Sequence, residues 1–82
     1  MATAEPIGMA KTPKYKLRNI VAANIRRERL ALKQVQEEIA HRSGLSQTYI
    51  SQVESAQRAV SIDAIERIAA ALNLPADRLL RL

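Results

Sequence analysis

Cysteine is absent from this 82-residue sequence, which excludes a disulfide framework and any cysteine-based metal site. Aromatic residues are almost absent too, with Tyr15 and Tyr49 the only two. A core must then be assembled from Ile, Leu, Val and Ala, a composition we read as favouring helices over sheets. With two glycines there is no room for a glycine-rich phosphate loop. His41 is the single histidine and sits beside Arg42 on a polar stretch, the setting of a surface residue rather than a general base. Glu37 and Glu38 are adjacent, so on a helix they point in different directions and suit first-turn dipole partners better than paired catalytic carboxylates. No metal-ligand cluster is present, and nothing implies a cofactor or a small-molecule ligand. No apolar run approaches the roughly 20 residues of a membrane span. The start of the chain lacks a signal peptide's long apolar segment, so a cytoplasmic protein is expected. These absences weigh against an enzyme and against a membrane protein.

Basic charge is what the sequence has in excess, at a net +5, and it is unevenly spread. Residues 1–34 hold eight Lys/Arg against Glu5 and Glu28, a net of +6. Residues 35–82 hold five Lys/Arg against six Asp/Glu, a net of −1. Such asymmetry fits a polyanionic partner met by the N-terminal part. Residues 1–14, with Pro6, Gly8 and Pro13 and no consistent apolar spacing, read as a flexible basic arm. Lys11, Lys14, Lys16 and Arg18 form a basic cluster at its end, suited to phosphate contact or simply to solvation. Residues 15–82 have the length of one small domain.

Within that domain the spacing predicts helices throughout. A first helix runs from about Tyr15 to Leu32, with Leu17, Val21, Ile25 and Leu32 near one face. Gln36 to Glu54, QEEIAHRSGLSQTYISQVE, divides into two short helices about a turn at Ser43-Gly44-Leu45. Gly44 takes a left-handed backbone there without steric cost, and Ser46 caps the helix that follows. Ile39 and Ala40 face inward from the first of the pair, Ile50 and Val53 from the second. The second exposes Gln47, Thr48, Ser51 and Gln52, short neutral groups rich in donors and acceptors. After a loop from Ser55 to Val60, Ser61 caps a fourth helix with Asp63 in its first turn. Its buried face is Ile62, Ile65, Ile68, Ala69 and Leu72. Asn73 closes it in a left-handed conformation, and Pro75 opens a short fifth helix ending near Leu80.

Gln36, Ala40, Gly44, Leu45, Ile50, Val53 and Glu54, with Arg29 upstream and SIDAIERIAAALNL downstream, resemble the Xre/Cro-type helix-turn-helix regulators. The resemblance spans about Val21 to Leu80. It implies an all-α, five-helix, lambda-repressor-like domain that binds double-stranded DNA as a homodimer on a two-fold symmetric operator. The length and the final stretch look most like a restriction–modification controller protein, with a phage-type repressor close behind. An antitoxin, or another interaction module binding DNA secondarily, is the rival reading. By the same resemblance Gln47, Thr48 and Ser51 read bases, a role their amide and hydroxyl groups suit chemically. Tyr49 and Gln52 contact backbone or flanking bases, while Gln36 and Arg58 meet phosphate. Arg29 and Glu54 match a salt bridge that ties the first helix to the third. Family members usually have glycine where Lys33 and Ala56 stand and a capping residue where Val35 stands. The excess of aliphatic residues after Ser61 implies a dimer through that end, with Ile65, Leu74 and Leu79 as its expected contacts.

Overall fold

Four α-helices and a C-terminal 3-10 turn account for residues 15–82, the part of the chain that the computed structural model describes. The expected basic arm, residues 1–14, lies outside the described residues. The helices are α1 (Lys16–Ala31), α2 (Gln36–Ser43), α3 (Gln47–Glu54) and α4 (Ile62–Ala71), and the turn covers Ala76–Leu80. Among the described residues there is no strand, and no helix is long and apolar enough to cross a membrane. The expected fifth α-helix is this 3-10 turn. Pro75 stands just before it in an extended conformation rather than within it.

Every helix ends in the same way. A residue one or two places past the end is left-handed, and the next N–H reaches back to a carbonyl of the last turn, closing the orphan acceptors. These residues are Lys33 (φ 57), Gly44 (φ 75), Ala56 (φ 61) and Asn73 (φ 60). The closing bonds run from Gln34 N to Arg29 O, Leu45 N to Ala40 O, Gln57 N to Gln52 O and Leu74 N to Ala69 O, at 2.9–3.2 Å. Lys33 and Ala56, the two departures from glycine, take the left-handed conformation all the same and carry the strain of a Cβ in that region. The helix starts differ more. Ser46 and Ser61 accept from the N–H groups of Tyr49 and Ala64, both at 3.0 Å. Val35 cannot accept, and α2 still begins at Gln36, with Glu37 and Glu38 in its first turn facing the helix dipole.

The core is aliphatic, as the composition required. Ile25, Ile39, Ile50, Ile68 and Leu79 are fully enclosed, joined by Val21, Val53 and Leu72. The helix α2 packs on both α3 and α4, while α1 packs on α3 and on the C-terminal turn. Three apolar residues expected inside lie at the surface instead: Leu17, Leu32 and Ile62. Leu32 falls past the last turn of α1, where the chain turns left-handed. Leu17 and Ile62 occupy the first turns of α1 and α4, at the edges of their apolar stripes. The buried stripe of α1 is completed by two polar residues, Asn24 and Arg29, which apolar spacing could not reveal. Leu79 and Ile65, expected to meet a partner, are core residues of this chain; Leu79 is wholly enclosed and only Leu74 of the three keeps appreciable surface.

Candidate nucleic-acid interface

Three constraints aim α3. Gly44 reverses the chain after α2, Ser46 fixes the first turn, and Ile50 and Val53 are pulled into the core. With those two inward, Gln47, Thr48 and Ser51 are exposed and Gln52 is half-buried. The outer face of α3 thus presents amide and hydroxyl groups and no charge. Those groups can donate to and accept from base edges, whereas a charged face would favour phosphate regardless of sequence.

Tyr49 departs from the rest of this face. It is half-buried against the core, and its hydroxyl accepts from the backbone N–H of Ser61 at 3.3 Å. The ring therefore ties α3 to the cap of α4. Arg58, in the loop between them, lays its guanidinium over the same ring, 4.9 Å from the centroid. This cation–π contact holds an otherwise exposed cation at the end of α3.

Arg29 and Glu54 form a bidentate pair. Arg29 Nε donates to Glu54 Oε2 at 2.7 Å, and Nη2 donates to Oε1 at 2.9 Å. Both side chains are nearly closed to solvent. The Glu54 hydrogen bond raises the Arg29 pKa above the ordinary arginine value, with burial opposing it and the Glu54 charge adding to it. Gln36 joins this pair rather than standing apart, since its Nε2 donates to Glu54 Oε1 at 3.0 Å. The expected phosphate contact is therefore a side chain already tied to the core of the fold.

Gln47, Thr48 and Ser51 are thus exposed on one helix, and Arg58 is held over Tyr49 of the same helix. Gln36 is drawn toward Glu54. Two features were not singled out from sequence. Asn24 is buried in α1 and bonds the end of the chain, which no local pattern signals. An apolar groove of about 450 Å³ is lined by Leu17, Val21, Val60, Ile62, Ile65 and Leu80 among others. The excess of aliphatic residues after Ser61 was its trace in the sequence, since Ile62, Ile65 and Leu80 line it; the contribution of Leu17 and Val21 from α1 was not. Among the described residues, no group of His, Cys, Asp or Glu could hold a metal ion.

Residues 22–79 match the family model described as Helix-turn-helix, HTH_3. A hypothetical transcription factor of Neisseria meningitidis serogroup B is 41% identical over 64 residues, covering 78% of this chain. The match spans only 60% of that relative's length. The crystal structure of the hypothetical transcription factor NHTF from Neisseria superposes with a TM-score of 0.79 at 37% identity, covering 85% of this chain and 80% of that one. The restriction-modification controller protein C.AhdI from Aeromonas hydrophila superposes with a TM-score of 0.74 at 34% identity, covering 76% and 94%.

Proposed function

This chain belongs to the helix-turn-helix family, and from that premise we propose that it is a sequence-specific DNA-binding transcriptional regulator. The single observation that carries the proposal is the outer face of α3. Gln47, Thr48 and Ser51 are exposed and uncharged there, while Ile50 and Val53 anchor the helix from behind. In the helix-turn-helix geometry, the N-terminal part of the second helix enters the major groove. Gln47 and Thr48 are the first two residues of α3, so they are assigned the base edges together with Ser51. Gln52, half-buried, is assigned a flanking contact. Arg58 and Gln36 are assigned phosphate. Tyr49 serves mainly by holding Arg58. Similarity to C.AhdI supports a controller-type role within restriction–modification, and DNA as partner fits a cytoplasmic setting. No cofactor and no catalytic step belongs to this reading.

The regulator acts as a homodimer, one copy on each half of a two-fold symmetric operator. The surface we assign to pairing is the apolar groove, with a second copy of this chain as its occupant. Ile62 at its rim is 81% exposed and Leu82, past the turn, is 95% exposed. The lining of the groove is almost wholly apolar, which suits the apolar side chains of a second copy. Ala59 and Val60, which directly follow Arg58, form one wall of the groove. Pairing across it would set the separation of the two α3 helices, which half-site recognition requires to be about one DNA turn, roughly 34 Å.

Selection of bound duplexes from a random DNA pool, followed by salt titration on the winner, tests the proposal. We expect an enriched two-fold sequence and a log–log salt slope of several units, about 0.9 for each phosphate neutralised. No enrichment, together with a flat titration, would overturn it.

A further inference from the structure

The geometry points to Glu54 as the positioning residue for the contact between Gln36 and the DNA backbone, a role that rests on the DNA-binding reading above. Gln36 opens α2 and is half-exposed, while Glu54 closes α3 with its side chain almost wholly enclosed. The Gln36 amide nitrogen carries two hydrogens, and the 3.0 Å bond to Glu54 Oε1 takes one of them. With that hydrogen committed to Glu54, the amide is restrained and its second N–H is left to donate to another acceptor. That hydrogen is the one assigned to a phosphate oxygen.

Arg29 makes such an anchor possible. A carboxylate standing behind a phosphate contact would ordinarily repel the phosphate. Here its charge is matched by the bidentate guanidinium, at 2.7 and 2.9 Å. Arg29 is itself held by Nη1 donating to the backbone carbonyl of Gln34 at 2.8 Å. The anchor thus joins α1, the α1–α2 connection, α2 and α3. A loose glutamine at the start of a helix would lose rotamer freedom when it bound DNA. A glutamine already tied to Glu54 loses little. Glu37 and Glu38 are exposed in the same first turn and do repel a phosphate, which makes the alignment of one neutral donor matter more.

The test replaces Arg29 and Glu54 together by methionine, since exchanging a buried ion pair for packed apolar side chains often leaves stability intact. Affinity is then measured for the selected duplex and for a scrambled one. We expect Arg29→Met/Glu54→Met to stay folded by circular dichroism and to bind both duplexes roughly tenfold more weakly, the size of one charge-assisted hydrogen bond. Gln36→Met should weaken binding by the same factor, and the triple variant should be no weaker than either. The salt slope should stay at its wild-type value in all three, because a neutral amide displaces no counterion from the phosphate it meets. A folded double variant with wild-type affinity, or losses that multiply in the triple variant, would overturn the role. If the double variant does not fold, side-chain amide NMR of the wild-type protein decides. One Gln36 Hε2 proton should keep its protection when duplex is added while the other shifts; release of the first would overturn the role. A wild-type chain that binds no duplex brings down the DNA reading itself, whereas the preceding failures with a wild type that binds bring down only the part given to Glu54.

Discussion

Asn24, in the middle of α1, holds the last residues of the chain: its Nδ2 donates to the carbonyls of Leu79 at 2.9 Å and Arg81 at 2.7 Å. Its Oδ1 accepts from Arg27 Nη2 at 2.8 Å, so a buried side-chain amide is satisfied on both sides. The two backbone bonds hold the C-terminal turn against α1 and keep Leu79 in the core. Asn24→Ala would leave a buried carbonyl unpaired, at a cost of about 1–3 kcal/mol. Thermal unfolding should show a clear drop in Tm, with amides of the last residues exchanging earlier than the rest. An unchanged Tm would mean that the turn is held by packing alone.

Arg29→Ala should destabilise by about 3–5 kcal/mol, because it strands the buried Glu54 carboxylate. Arg27→Ala removes a mostly exposed side chain but also the bond to Asn24 Oδ1, so it should cost less, about 1 kcal/mol. Because the Arg29 pKa is raised, its contribution is fully present below the ordinary arginine range and is lost only as pH climbs through the higher value. The difference in Tm between the two variants should therefore not change across the neutral pH range on the arginine's account. Equal melting temperatures would remove the ion pair from the account of stability.

Ala56→Gly should raise stability. An L-residue at φ 61 costs roughly 1–2 kcal/mol, against about 0.5–1 kcal/mol for the extra freedom of an unfolded glycine. Gly44→Ala should do the reverse. Its φ is 75, and an added Cβ would come within 3.2 Å of Arg67 Nη2. Chemical denaturation of both variants checks the pair, and a stabilising Gly44→Ala would contradict the geometry of the turn.

Gln47→Ala or Thr48→Ala should reduce discrimination between operator and scrambled DNA by about 1–3 kcal/mol, the value of one good base contact. Arg58→Ala should instead weaken both duplexes alike. Binding isotherms on the two duplexes separate the cases. A specificity ratio unchanged in Gln47→Ala would remove Gln47 from the reading face.

Ile62→Glu should convert a dimer into a monomer while leaving the fold intact, since Ile62 projects from the rim of the groove and is not part of the core. Sedimentation at micromolar concentration reads the change, and operator binding should lose its cooperativity with it. A wild-type chain that sediments as a monomer would refute pairing across the groove.

The sequence by itself determined the helices, their order and the turn that aims α3. Those features follow from local chemistry: apolar spacing, serine caps, and a glycine where the backbone must turn left-handed. It also supplied, by resemblance, the pairing of Arg29 with Glu54. What it did not determine depends on which neighbour covers a given side chain. Periodicity treats Leu17, Ile62 and Ile65 alike, yet only Ile65 lies under other elements. It also treats Asn24 as an interruption, although the C-terminal turn arrives to satisfy it. Lys33 and Ala56 carry no local signal for a left-handed backbone; they adopt it because the packed helices on either side fix where the chain must go. Leu79 became core rather than interface for the same reason, since the two bonds from Asn24 hold its turn against α1. A helix face is set by the geometry of one segment, but burial is a property of two segments meeting, and only the tertiary structure brings them together.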